Sequence, residues 1–160
     1  MADPGLRVGI GYDIHRLQPG AGLLLGGVSI PCNLATIAHS DGDVLLHACC
    51  DAWLGALGLG DLGSWFPDSD PAHAGRASRE FWQTIRADQR SASWRVINCD
   101  SNIIAQQPRL AAHREAIRQH LTRLLDCPAI SVKCRTKEGC DATGRVEAIE
   151  AQVVLLLGRE

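Results

Sequence analysis

The run Ala38-His39-Ser40-Asp41-Gly42-Asp43-Val44-Leu45-Leu46-His47 puts two histidines and two carboxylates at the start of a segment with helical periodicity. Upstream, Gly9-Ile10-Gly11-Tyr12-Asp13-Ile14-His15 reads as a strand. Alternate residues of a strand share a face, so Asp13 and His15 point the same way. Gly9 and Gly11 lie on that face and leave room for a ligand. Val8, Ile10, Tyr12 and Ile14 take the other face, the natural core side. On the helix, Asp43, His47 and Asp51 are spaced by four and line one side. If the helix packs near the strand end, Asp13, His15 and His47 offer three N/O donors to one divalent cation. A coordination position stays open, the pattern of a catalytic metal site. Such donors favour zinc and leave manganese and iron open. Taken alone, D-x-H reads equally as a surface Asp beside a half-buried His bonded to backbone. A buried His47 on a Leu- and Cys-lined helix needs a polar partner in either case. Asp51 can orient His47, cap local structure, or form a surface pair. His39 and Ser40 sit at a helix N-terminus, where free N–H groups attract phosphate; Ser40 also reads as a plain cap.

Gly60 to Pro71 is a second unusual stretch, with Asp61, Asp68 and Asp70 set among Gly and Pro. A plain turn is the default for that composition. Trp65 and Phe66 within it point to a loop packed onto something, and loops on rigid scaffolds often carry binding residues.

The elements that must position these residues follow from periodicity. Residues 6–14, 23–30, 94–105, 129–135 and 146–157 read as strands. The first two, joined through Pro19-Gly20 and Gly22, read as an N-terminal β-hairpin. Residues 43–57, 77–89 and 109–126 read as helices. In the first, Leu46, Cys49, Cys50, Trp53, Leu54 and Leu57 recur at helical spacing. Ser40-x-x-Asp43 resembles a capping box with Asp in place of Glu, and Gly58 and Gly60 stop the helix. Residues 61–77 read as a loop. The expected fold is a single domain over residues 1–160 of α/β (α+β sandwich) type: a small mixed β-sheet with helices packed on one face.

Composition narrows the function. The net charge is −2 and Lys and Arg are scattered, so there is no basic stripe for nucleic acid. Aromatics are 4%, too few for base-stacking platforms. No apolar run is long enough to span a membrane, and no signal peptide is legible, which predicts a cytoplasmic protein. Seven cysteines without C-x-x-C spacing read as reduced, mostly buried thiols.

Asp13-x-His15, the H-S-D-G-D-x-x-x-H run at 39–47, G-D-x-G at 60–63 and F-P-D-S-D-P at 66–71 resemble the 2-C-methyl-D-erythritol 2,4-cyclodiphosphate synthases. The likeness continues through Ile104-Ala105-Gln106-Gln107-Pro108-Arg109, Lys133-x-x-Thr136-x-Glu138 and Thr143-Gly144-Arg145, spanning nearly the whole chain. It implies a homotrimer with active sites at subunit interfaces, in non-mevalonate isoprenoid biosynthesis. The implied substrate is 4-diphosphocytidyl-2-C-methyl-D-erythritol 2-phosphate. The enzyme would be a phosphorus–oxygen lyase giving the cyclic diphosphate and CMP. By motif position, Asp13, His15 and His47 would hold zinc, and Glu138 a second cation, Mg2+ or Mn2+, bound to the diphosphate. Ser40, Asp61, Gly63, Phe66, Asp68, Asp70 and Arg145 would contact the methylerythritol and phosphate side. Ala105, Gln106, Gln107, Pro108, Arg109, Leu110 and Ala111, with Arg135, Thr136 and Glu138, would form the cytidine pocket of the adjacent subunit. His39 and Thr136 would stabilise the transition state.

The chain departs from the family near its end. Gly144-Arg145-Val146-Glu147-Ala148 stands where G-R-G-E-G is usual. Ala142 replaces a common aromatic, and Arg135 a small hydroxyl residue. Two other activities would use similar residues. A zinc-dependent phosphoester or diphosphate hydrolase would need a general base, for which Asp43 or Asp68 is available. A non-catalytic metal- or nucleotide-binding module would need none.

Overall fold

The computed structural model describes residues 5–67, 69–73 and 75–159; Asp68 of the carboxylate loop lies outside the described residues. In chain order the strands are β1 (Leu6–Pro19), β2 (Leu23–Leu25), β3 (Val28–Ile30), β4 (Leu34–Ile37), β5 (Trp94–Ile104), β6 (Ile130–Arg135) and β7 (Ala148–Arg159). The helices are α1 (Val44–Leu57), α2 (Leu62–Trp65), α3 (Ser78–Ala87), α4 (Arg114–Leu124) and α5 (Asp141–Gly144), with a 3-10 turn at Pro71–His73. Five strands form one sheet in the order β4-β1-β7-β5-β6. The β5–β6 pair is parallel and the other pairs are antiparallel, so the sheet is mixed.

The N-terminal hairpin differs from the expected one. Residues 23–30 are not a single strand paired with residues 6–14. They fold back on themselves as β2 and β3, with Leu23 opposite Ile30. The reversal falls at Gly26 and Gly27, with φ of +57° and +77°, the backbone that a two-residue hairpin turn requires. The partner of β1 on that side is β4, with Arg16 opposite Ile37. The helix expected over 109–126 starts only at Arg114. Before it, a turn closed by His113 N–H to the Leu110 carbonyl, at 3.0 Å, drops Leu110 into the core.

Helix α1 is buried almost all round, with Leu45, Trp53 and Leu54 fully buried. That is the expected state of a helix apolar on every side, packed between a sheet and further elements. Asp43 is its N-cap, accepting from Leu46 N–H at 3.0 Å. The same carboxyl accepts from Gly26 and Gly27 N–H at 2.8 and 2.6 Å, pinning the β2–β3 turn to the helix start. Ser40 and Asp43 therefore do not form a capping box; Ser40 Oγ accepts from Gly42 N–H instead, at 3.1 Å. Gly58, at φ +67°, ends the helix in the left-handed conformation. All seven cysteines are free, and Cys49, Cys50, Cys99 and Cys127 are buried.

The two faces of β1 are reversed from the sequence expectation. Gly9 and Gly11 are buried, while Val8, Ile10, Tyr12 and Ile14 are exposed, Ile10 by 75%. The cause is the approach of α1. A Cβ at Gly9 would stand 1.8 Å from the Ala52 carbonyl oxygen, and one at Gly11 1.8 Å from that of Ala48. The glycines admit a helix backbone and not a ligand, because only a residue without Cβ allows that contact. The apolar residues between them face outward, where each large one forgoes roughly 1.5–3 kcal/mol of burial.

Candidate active site

The close approach of α1 brings His47, one turn into the helix, over Asp13 and His15 on the same face of β1. Asp13 Oδ2 lies 3.3 Å from His15 Nδ1 and 3.0 Å from His47 Nδ1. The three donor atoms fall within 4.8 Å of one another. Ligands of one tetrahedral ion with bonds of about 2 Å stand roughly 3.3 Å apart, so this set fits a single divalent cation. Burial opposes ionisation of Asp13, but hydrogen bonds and charge from His15 and His47 outweigh it and hold the carboxyl down at about 2. Burial likewise opposes protonation of His15, and its hydrogen bond to Asp13 more than compensates, so its pKa is raised.

The far side of the His47 ring is equally defined. Its Nε2 lies 2.9 Å from Ser78 Oγ and 3.1 Å from Ser40 Oγ. Asp41 accepts from the Ser78 backbone N–H at 2.8 Å and also from the Ser78 hydroxyl. With its own proton committed to Asp41, Ser78 Oγ is an acceptor toward His47. A hydrogen on Nε2 is thus accommodated by Ser78, and with a cation in place of the Nδ1–Asp13 hydrogen bond the Nδ1 lone pair would be free to ligate it. That is the tautomer a metal-ligating His47 needs. Ser78 went unnoticed in the sequence; it lies 31 residues from His47 and looks like an ordinary helix start. Asp51 does not orient His47. Its Oδ1 accepts from Leu62 N–H at 2.7 Å and so anchors the start of α2.

A cavity of about 480 Å³ opens beside the three donors. His39, Ser40, Gly63 and Phe66 line it together with Asp13, His15 and His47. His73 also lines it, a residue the sequence reading passed over. Its ring stands edge-on to Phe66 at 5.3 Å, and its buried Nδ1 has no hydrogen-bond partner among the described residues. Asp61 does not line this cavity; it caps α2, accepting from Ser64 N–H at 2.8 Å. Asp70 is also absent from the lining and lies 3.6 Å from His73 Nε2.

A second, smaller cavity of about 100 Å³ is lined by Ala105, Pro108, Arg109, Leu110, Ala111, Arg135 and Thr136, with Cys134. Gln106 and Gln107 adjoin it in sequence without lining it, and Gln106 Oε1 is buried without a partner among the described residues. Glu138 is exposed, takes a hydrogen bond from the Thr136 hydroxyl, and is not among the residues grouped with Asp13, His15 and His47. Arg145 is turned to Glu147, at 3.0 Å. The segment carrying Thr136 and Glu138 is tied to the sheet by Glu150, which no motif signals. This buried carboxylate accepts from Thr143 Oγ1 at 2.6 Å, Tyr12 Oη at 3.1 Å and Lys137 Nζ at 3.2 Å. Within one chain, then, the donor-bearing cavity and the 105–111 cavity share no lining residue.

Comparison with known proteins agrees with this geometry. The 2-C-methyl-D-erythritol 2,4-cyclodiphosphate synthase of Syntrophomonas wolfei is 48% identical over 154 residues, covering 95% of this chain and 98% of its own. The fold matches that of IspF from Plasmodium falciparum in its CDP complex, with a TM-score of 0.84 at 34% identity and 99% of each chain covered. It also matches a CDP-bound 2C-methyl-D-erythritol-2,4-cyclodiphosphate synthase, with a TM-score of 0.86 at 37% identity, covering 94% of this chain and 99% of that one. Residues 6–158 match the model of the YgbB family, and the chain belongs to that family.

Proposed function

We propose that the protein is a 2-C-methyl-D-erythritol 2,4-cyclodiphosphate synthase. It converts 4-diphosphocytidyl-2-C-methyl-D-erythritol 2-phosphate to the 2,4-cyclodiphosphate and CMP, as a phosphorus–oxygen lyase of non-mevalonate isoprenoid biosynthesis. The reading is carried by one observation: Asp13, His15 and an Nδ1-directed His47 converge at the wall of a cavity that also holds His39 and Ser40.

The 2-phosphate oxygen of the substrate attacks its own β-phosphorus, and CMP leaves. No protein nucleophile is required. The protein has to hold two anionic groups in line and disperse charge. Zinc on Asp13, His15 and His47, and Mg2+ or Mn2+ at Glu138, would supply Lewis-acid polarisation and charge neutralisation to the diphosphate. His39 and Ser40 donate to the reacting phosphates. Gly63 and Phe66 line the side of the cavity that would receive the methylerythritol. Residues 105–111 with Arg135 seat the cytidine, Thr136 faces the leaving group, and Arg145 contributes positive charge nearby.

The protein works as a homotrimer in the cytoplasm, with the cytidine cavity of one subunit completing the metal-side cavity of the next. Two observations support this. The cavities of one chain have no residue in common. Val8, Ile10, Tyr12 and Ile14, with Val154 of β7, leave an apolar sheet face uncovered, as surfaces that meet a partner do. Among the described residues no helix is long and apolar enough to cross a membrane.

Mass spectrometry of the products formed with zinc and magnesium present tests the reading. The cyclic diphosphate with CMP is expected. An opened monophosphate would identify the hydrolase instead.

A further inference from the structure

The helices α3 and α4 meet through the Trp82 indole N–H, which donates to the Leu124 carbonyl at 3.1 Å. Above this contact lies a groove of about 550 Å³, lined by Arg79, Gln83 and Arg86 from α3 and His120 and Arg123 from α4. Three guanidinium groups and an imidazole line it, and among the described residues no carboxylate does. In a chain of net charge −2 that is a local excess of positive charge.

Two acids on and beside α3 are engaged elsewhere: Glu80 pairs with Arg76 at 3.1 Å and Asp88 with Arg90 at 2.8 Å. The side chains of Arg79 and Arg123 have no ion-pair or hydrogen-bond partner among the described residues. Arg86 is held in place. It donates to the Trp94 carbonyl at 2.8 Å and lies over the Trp53 ring at 4.2 Å. His120 donates through Nδ1 to the Gly26 carbonyl at 2.7 Å, which fixes the ring at the edge of the groove.

We propose that this groove binds a small polyanion carrying two linked phosphate groups, at a site separate from the metal-side cavity. Its volume falls in the range of small-ligand sites, roughly 300–1,000 Å³. Planar guanidinium groups recognise phosphate oxygens in pairs, and a fixed Arg86 loses little freedom on binding. An acidic protein segment fits less well. Anchoring one takes exposed aromatic or aliphatic surface, and of the two large apolar side chains here Trp82 is only 3% exposed and Leu124 is half-buried. The anion would relieve the mutual repulsion of the cations, so it should also stabilise the fold.

The site does not depend on the cyclisation reading, and its test uses no turnover. Inorganic diphosphate is titrated calorimetrically into the full chain, stripped of metal on a chelating resin, at about 0.15 M salt. One saturable site per chain is expected. Its affinity should fall at least tenfold in the exposed double variant Arg79→Ala/Arg123→Ala and stay unchanged in His47→Ala. The double variant should melt like the wild type without ligand and lose the rise in Tm that diphosphate gives. Absence of saturable binding, equal binding by the double variant, or loss in His47→Ala alone would each overturn the proposal. So would an oligoglutamate peptide that binds the groove more tightly than diphosphate.

Discussion

Ser78 Oγ stands 2.9 Å from His47 Nε2 with Asp41 behind it, so a hydroxyl 31 residues away holds the edge of the imidazole opposite the cation site. Ser78→Ala removes that acceptor and leaves every metal donor in place. Partners of this kind are typically worth 10- to 100-fold in metal affinity. Competition against a chromogenic chelator should show a loss of that size in a folded protein, and wild-type affinity would remove the orienting role. Asp41 loses one of its buried partners in the same variant, so stability should fall by about 1–3 kcal/mol.

Gly11→Ala should damage the site without touching a donor. Its Cβ would sit 1.8 Å from the Ala48 carbonyl oxygen, so α1 has to move or tilt. Overpacking of this kind costs about 1–3 kcal/mol or more. Since His47 rides on α1, metal content and melting temperature should drop together. A variant that melts lower but binds metal as the wild type does would show that the helix position does not govern the donors.

Metal affinity should keep rising with pH beyond the ordinary histidine range. His15 binds metal only as the neutral ring, and its pKa is raised by Asp13 once burial has been offset. The metal-free fold behaves oppositely. The His15 contribution to stability is complete below pH 6.5 and is lost as pH climbs through the raised folded value. Asp13, held at about 2 against 3.8, contributes stability above pH 3.8 that disappears as pH falls toward 2. Metal titrations from pH 5.5 to 8.5, in steps of about half a unit, check the first statement. An affinity that levels off at pH 6.5 contradicts it.

Val146→Gly should stabilise the chain. Val146 has φ +65°, a left-handed backbone that costs a β-branched residue about 1–2 kcal/mol. The entropy of glycine in the unfolded chain offsets part of the relief, leaving a net gain of about 1 kcal/mol and a Tm rise of roughly 2–4 °C. Thermal unfolding of both proteins at one concentration measures it. An unchanged or lower Tm would mean that the valine side chain recovers its backbone strain through packing.

Glu138→Gln should separate the two metals. Glu138 is exposed and outside the Asp13–His15–His47 cluster. The magnesium or manganese concentration needed for half-maximal turnover should rise on the order of tenfold, while zinc content by elemental analysis stays at the wild-type level. Equal loss of both metals would argue for a single shared site.

Much of this arrangement is legible in the sequence, and the exceptions have physical causes. The spacing of Leu46, Cys49, Trp53 and Leu54 marks α1, and the alternation in Asp13-x-His15 sets both donors on one face of β1. The core side of that strand is misjudged from hydrophobicity because Gly9 and Gly11 look like vacant space. What they accommodate is main chain, and the Ala48 and Ala52 carbonyls that fill the space leave no mark on the residues of β1. Gly26-Gly27 lies inside an apolar run, so 23–30 passes for one strand until the positive φ values reveal a turn. Ser78 reaches His47 and Glu150 reaches Tyr12 through long-range contacts, and neither periodicity nor a local motif carries information at that distance.

Strand β1 has opposite business on its two sides, since odd-numbered Gly9, Gly11, Asp13 and His15 look toward α1 and even-numbered Val8, Ile10, Tyr12 and Ile14 look away. Sliding the strand by one position against β7 would exchange the two sets. Both donors would then be stranded on the outer surface, and an isoleucine would be driven into a gap that admits only hydrogen. The alignment that creates the chemistry is thus policed by steric exclusion: the wrong register is blocked before any cation arrives.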